Sequence, residues 1–310
     1  MRARRVAGVL FVAVAFAFLF LYVLRDIGQL RAQQWTVRPA LMAASLLIHV
    51  AGLLCGVATW RLVIRAMGYR VGLRQLARIW FLSGLGRYIP GKIWQFVGAA
   101  HIGRGSGLPA AVTVTALAAQ TLFFLIGAVL VSAYLLSEGL GVTAGDLTAL
   151  RWIAPALVVL VHPAVVRWVL ALIRRVTGKD LVAWTAGWAV GIGIVLLATV
   201  CWLITGSALY LFVLSLTPIP LAALLPVAGM NAASFIVGTL FFIAPAGLGA
   251  KEWSLSLLLA AYVTGPGAAL IAVAARLWMI VAEVLPALFL LRELRSRPSK
   301  APNPPTADPQ

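Results

Sequence analysis

Six stretches of this chain stay apolar for about twenty residues at a time: 6–24, 41–60, 109–136, 152–172, 184–212 and 268–291. Some ~20 helical residues match the ~30 Å hydrocarbon core of a bilayer. The runs are continuous rather than alternating, which excludes a membrane β-barrel. Composition agrees: the 310 residues are 63% hydrophobic and 11% charged, against roughly 45–50% and ~25% in an ordinary soluble domain. So few charges cannot clothe a water-soluble globule of this length. The chain reads as an all-α polytopic membrane protein.

Charge placement supplies an orientation. The formal net charge is +17, but the basic residues flank apolar runs instead of forming a soluble patch, so nucleic acid is not expected as a partner. Arg61, Arg65, Arg70, Arg74 and Arg78 follow the second run; Arg167, Arg174, Arg175 and Lys179 cluster at the end of the fourth; Arg292, Arg295, Arg297 and Lys300 follow the last. Cytoplasmic loops collect Lys and Arg, which places both termini in the cytoplasm of an inner (plasma) membrane; Arg25, Arg31 and Arg38 fall on the other side against that rule. The basic N-terminus imitates a secretory signal, yet its apolar run is too long for one and lacks a small-residue cleavage site. A single transmembrane domain is expected over 1–295, with a disordered cytoplasmic tail over 296–310. The arginines spaced by four from 61 to 78 read as a basic helical stripe on anionic lipid, and tryptophans near span ends (Trp35, Trp60, Trp152, Trp184) as interface belts.

Two further apolar regions, 76–107 and 220–265, are interrupted near the middle by Pro and Gly. Proline removes a helical donor and glycine lets the backbone turn. Non-helical backbone at membrane depth survives only against protein or a water-filled cavity. Both regions therefore read as re-entrant hairpins or broken helices, added to about six full spans. Arg87-Tyr88-Ile89-Pro90-Gly91-Lys92-Ile93-Trp94 and Pro245-Ala246-Gly247-Leu248-Gly249-Ala250-Lys251-Glu252-Trp253 share a Pro/Gly break, then a lysine, then a tryptophan two positions on. Three full spans separate the breaks, and an odd number reverses direction. The arrangement is that of an inverted repeat with a mid-membrane site.

Charges at membrane depth cost about 2.5–3.5 kcal/mol on insertion scales and usually face a cavity or a partner. Here they are Arg87, Lys92, Lys251, Glu252, Arg276 and Glu283. Arg87 and Lys92 bracket Pro90-Gly91 and suit either a phosphate clamp or headgroup anchors, because guanidinium forks onto two oxygens and ammonium acts as a point charge. Lys92, directly after the turn glycine, is the better placed. Glu252 suits the first turn of a helix whatever the function; Lys251 opposes the dipole there, which favours a ligand or ion-pair role. Arg276 and Glu283 stand two turns apart on one helix face, as a structural pair or as a polar track. Asn231 and Gln120 lie within apolar runs as ligands or interhelical hydrogen-bond glue, glue being preferred for Gln120. Pro245 and Gly247 shape the second break. Cys55 and Cys201 read as small buried hydrophobes, and His49, His101 and His162 show no metal-ligand spacing. No nucleophile–base triad, metalloprotease helix or nucleotide loop is present, so no cofactor or metal is expected.

At Tyr88–Trp94 with Arg104 following, and at Ala244–Glu252, the chain resembles the flippase-like transmembrane family, which includes the membrane half of the lysylphosphatidylglycerol synthases. The likeness covers about 6–291. It implies a lipid-translocating module with two re-entrant segments and a polar cavity, which in bifunctional members moves aminoacylated phospholipid made by a cytosolic synthase domain. After residue 291 this chain has a short tail, so aminoacyl transfer is not expected of it. Family members commonly carry Arg-Glu where this chain has Lys251-Glu252: the basic–acidic pair is kept and the bidentate guanidinium is not.

The expectation is a flippase or scramblase, not an enzyme, for an anionic or aminoacylated phospholipid or a polyprenyl-phosphate-linked lipid. Arg87, Pro90, Gly91, Lys92, Asn231, Pro245, Gly247, Lys251, Glu252, Arg276 and Glu283 would line its site. Protein partners that fit are a second copy or a separate lipid-modifying enzyme. The rival reading is an intramembrane enzyme or accessory subunit acting on polyprenyl-phosphate or glycolipid in envelope synthesis.

Overall fold

The computed structural model describes residues 28, 35–89, 93–139, 156–178, 182, 184–241 and 247–295. Among them every regular element is helical: α1 Pro39–Ala66, α2 Leu73–Gly84, α3 Trp94–Arg104, α4 Ala110–Gly139, α5 Pro163–Thr177, α6 Trp188–Leu216, α7 Leu224–Leu240, α8 Ala250–Leu259 and α9 Gly265–Arg295. Short 3-10 turns cover Leu85–Tyr88, Leu157–Val161 and Leu221–Ala223. Five helices are long and apolar enough to cross a membrane: Pro39–Ala66, Ala110–Leu135, Trp188–Leu216, Leu221–Leu240 and Gly265–Arg292. Large apolar side chains point outward on them, among them Leu47 at 70% exposure and Leu277 at 62%. A helix that is apolar on every side needs lipid or protein on every side.

α1 and α6 form the central antiparallel pair. Ser45 Oγ donates to Ala208 O at 2.7 Å, and the N–H groups of Thr36 and Arg38 donate to Leu216 O and Ser215 O at 2.8 and 3.0 Å. These last two bonds satisfy carbonyls that a helix C-terminus leaves without partners. Cys55 and Cys201 lie in the same seam as free thiols, with Cys201 Sγ 3.6 Å from Thr59 Oγ1. Small residues let the two backbones approach closely, which is how apolar helices gain contact in the absence of a hydrophobic drive. α7 packs against α6 and α4, and α9 against α8 and α1.

Several expectations meet a different outcome. The first run, 6–24, lies outside the described residues, as does the tail 296–310. The run 152–172 is described only from 156, and there it is broken at His162. Pro163 follows, and the residue before a proline is pushed out of helical conformation; His162 has ψ 133° and caps α5 through Nδ1. At 15 residues, α5 is about 22 Å long, short of a full span. The basic stripe divides between two helices: α1 ends at Ala66, so Arg70 sits in the connecting loop and Arg74 and Arg78 belong to α2. Trp60 and Trp184 are fully buried rather than interfacial, the latter packed on Phe123 with ring centroids 5.5 Å apart.

Both Pro/Gly regions do break. The first runs α2, a 3-10 turn, then α3; the second runs a 3-10 turn, α7, then α8. α2 packs on α3 and α7 on α8. α2, α3 and α8, of 12, 11 and 10 residues, are each too short to cross a bilayer alone.

Candidate functional site

A cavity of about 400 Å³ opens among the helices, lined from every described α-helix except α5. The two broken segments close its polar side. At the first, Gly86 meets the start of α3: a Cβ there would stand 2.8 Å from the carbonyl carbon of Trp94. At the second, Gly247 adopts φ +68°, and a Cβ would stand 2.5 Å from Gly238 O. Only glycine permits either approach. These contacts hold Arg87 and Tyr88 on one segment, and Lys251 and Glu252 on the other, against the same stretch of α9.

α9 presents Arg276 and Glu283 toward them. Arg87 donates from Nη1 to Glu283 Oε1 at 3.4 Å, and from Nε to Gly84 O at 2.9 Å. Tyr88 donates its hydroxyl to Glu283 Oε2 at 2.8 Å. Arg276 Nε lies 3.5 Å from Glu252 Oε1, and its guanidinium covers the Tyr88 ring at 5.4 Å. The other Glu252 oxygen accepts the Gly249 N–H at 2.6 Å, closing the N-terminus of α8 in the manner of a capping box. Glu252 is 1% exposed. A buried carboxylate is tolerated when paired and hydrogen-bonded, and here it has both supports. Lys251 Nζ reaches Met279 Sδ at 3.8 Å.

Of the residues expected at the site, Arg87, Asn231, Gly247, Lys251, Arg276 and Glu283 line the cavity, and Glu252 stands behind Arg276. Pro90, Gly91, Lys92 and Pro245 lie outside the described residues. Gln120 makes interhelical bonds, with Nε2 donating to Gly56 O at 2.7 Å and Oε1 accepting from Trp80 Nε1 at 3.4 Å, and it also faces the cavity. Sequence reasoning passed over His49 and Tyr88. His49 is 7% exposed and lines the cavity from α1. Its signal was available, since an ionisable group in the middle of an apolar span is a site candidate by default. Tyr88 adjoins Arg87 in the quoted motif, but nothing in the spacing announced its bond to a residue 195 positions away. Trp80, Phe124, Trp202 and Phe235 complete an aromatic wall.

Apolar helices around a charged, partly aromatic cavity define a multi-pass membrane protein with a polar cavity inside its helical bundle. The family model described as lysylphosphatidylglycerol synthase TM region matches residues 6–287, and the chain belongs to that family. A comparison with curated proteins found no match. Membership ties the protein to membrane lipids.

Proposed function

We propose that the protein is a lipid translocase, a flippase or scramblase, that carries the head group of an anionic or aminoacylated phospholipid or related lipid through the cavity. The observation that carries this reading is the convergence of three cations and one carboxylate, with Glu252 behind Arg276, on one 400 Å³ space inside an apolar helical bundle. Charges at that depth are costly without a polar ligand or water to justify the cavity. In this reading the two broken segments are re-entrant hairpins that meet at the cavity. With α5 short of a full span, two long helices, α4 and α6, rather than three separate them, so the span count no longer relates them as an inverted repeat. The ion pairs to α9 hold them in one of two arrangements, and the aromatic wall receives the glycerol and upper acyl region. The membrane in this reading is the inner (plasma) membrane.

Reconstitution tests it directly. Proteoliposomes carrying head-group-labelled lipid should expose inner-leaflet label to an external quencher faster than protein-free vesicles. A rate equal to that of empty vesicles for anionic, zwitterionic and aminoacylated lipids alike would sink the proposal.

A further inference from the structure

Among the described side chains, Glu252 and Glu283 are the acidic ones, and both are engaged. Glu252 holds Gly249 N–H and Arg276; Glu283 holds Tyr88 and Arg87. Three cations face these two carboxylates, so the described site carries one positive charge in excess. The cation outside both ion pairs is Lys251. Its ammonium touches a thioether, a weak acceptor, and neither carboxylate is within ion-pair reach. It also stands in the first turn of α8, where the helix dipole favours an anion and disfavours a cation. An ammonium so placed, lining a cavity, answers to an anion.

Asn231 supplies a second, independent requirement. It is 2% exposed. Its Nδ2 donates to Thr205 Oγ1 at 3.3 Å, and that hydroxyl in turn donates to Cys201 O at 2.9 Å. This chain of donors orients the amide and leaves Oδ1 buried without a hydrogen-bond donor. A buried acceptor left unmade costs about 1–3 kcal/mol, and a ligand hydroxyl removes that cost. Asn231 and Gly238 share one face of α7, two turns and about 10 Å apart, and Gly238 abuts the Cβ of Lys251. Cation and acceptor thus mark two levels of one cavity wall, a separation that a lysine stem and a small phosphodiester-linked polyol bridge together.

We infer that the cavity selects a head group that is a phosphodiester anion bearing free hydroxyls and no ammonium. The phosphate sits on Lys251 and a hydroxyl donates to Asn231 Oδ1. This rests on the lipid-translocation reading and narrows its substrate class. A head group with an added aminoacyl ammonium brings a further positive charge to a site already in surplus, where both described carboxylates already stand in ion pairs. Like charges brought together in a site of low dielectric repel strongly, so the unmodified anion is preferred over its aminoacylated form.

The test uses the full chain in mild detergent, with phosphatidylglycerol labelled on its acyl chain and displaced by unlabelled competitors. Phosphatidylglycerol should compete at least about tenfold better than its lysylated derivative, a difference worth ~1.4 kcal/mol. Lys251→Met should weaken phosphatidylglycerol about tenfold or more, whereas Lys251→Arg retains it. Asn231→Leu should narrow the preference for phosphatidylglycerol over a phosphodiester lipid without head-group hydroxyls. Equal or tighter binding of the lysylated lipid overturns the inference, as does unchanged affinity in a folded Lys251→Met. Displacement by inorganic phosphate alone reassigns the site to a free anion and overturns the lipid assignment. Transport is scored separately in proteoliposomes. Selective binding without lipid movement rejects the translocase reading and keeps the site, and movement of all lipids without selective binding does the reverse.

Discussion

Glu283 Oε2 accepts the Tyr88 hydroxyl at 2.8 Å while Oε1 takes the Arg87 guanidinium at 3.4 Å. One carboxylate on α9 thereby ties down the end of the first broken segment. Glu283 is 13% exposed and Arg87 28% on their side chains, so both are largely removed from solvent and neither is a surface pair of negligible worth.

Glu283→Gln should therefore lower stability by about 1–3 kcal/mol, because it weakens a charge-assisted bond and leaves Arg87 without its partner carboxylate. Tyr88→Phe removes only the hydroxyl and should cost about 1 kcal/mol. Thermal unfolding of the two single variants and the double should give a coupling of about 0.5–3 kcal/mol. Strict additivity would show that the bond carries no stability.

Glu252→Ala should be the more damaging change. It strips the Gly249 cap and leaves Arg276 beside an emptied pocket, and breaking a buried pair by removing one partner costs about 3–5 kcal/mol. The charge-swapped double variant, Glu252→Arg with Arg276→Glu, should not recover the loss. It restores opposite charges but places no acceptor on the Gly249 N–H. Melting temperatures in detergent decide the matter: recovery in the swap would mean that the ion pair, not the cap, holds α8.

Gly247→Ala should abolish folded protein. The new Cβ would enter the Gly238 backbone at a positive φ, so main chain rather than a flexible side chain would have to shift. Gly238→Ala meets the Lys251 Cβ at 3.0 Å and should be milder, with reduced yield and altered ligand affinity. Size-exclusion profiles of the two variants check the order.

Gln120→Leu should destabilise by about 1–3 kcal/mol, since Gly56 O and Trp80 Nε1 lose a shared partner in a buried setting. Selectivity among lipids should be unaffected if the residue is glue. A shift in head-group preference, measured by competition, would make it a ligand contact instead.

α5 should lie at the membrane surface rather than across it. Val166 and Leu170 are buried against the protein while Trp168 is 64% exposed, and Arg167 and Arg175 are also outward. A spin label at Trp168→Cys should report shallow depth, near the headgroups. A reading at the bilayer centre would restore a spanning segment here.

The sequence by itself determined the solvent. Runs of about twenty apolar residues with so few charges leave a lipid-embedded helical bundle as the outcome, because backbone polar groups in hydrocarbon must be satisfied within each helix. It also located the two breaks, since the conformational limits of Pro and Gly act within a few residues of chain. The rare charges at Arg87, Lys251, Glu252, Arg276 and Glu283 were legible for the same reason: each stands out against its own apolar surroundings. Which of them meet was not legible. Glu283 pairs with Arg87 across 196 positions, and Arg276, two turns away on the same face, pairs with Glu252 instead. Those choices come from how α9 is rotated against both broken segments, set by close backbone contacts such as Gly247 on Gly238. The same packing made Trp184 a core residue and placed His49 and Tyr88 at the cavity. Apolar helices can pack in many rotations with similar burial, and only tertiary structure selected the one that, among the described cavity cations, leaves Lys251 outside both ion pairs.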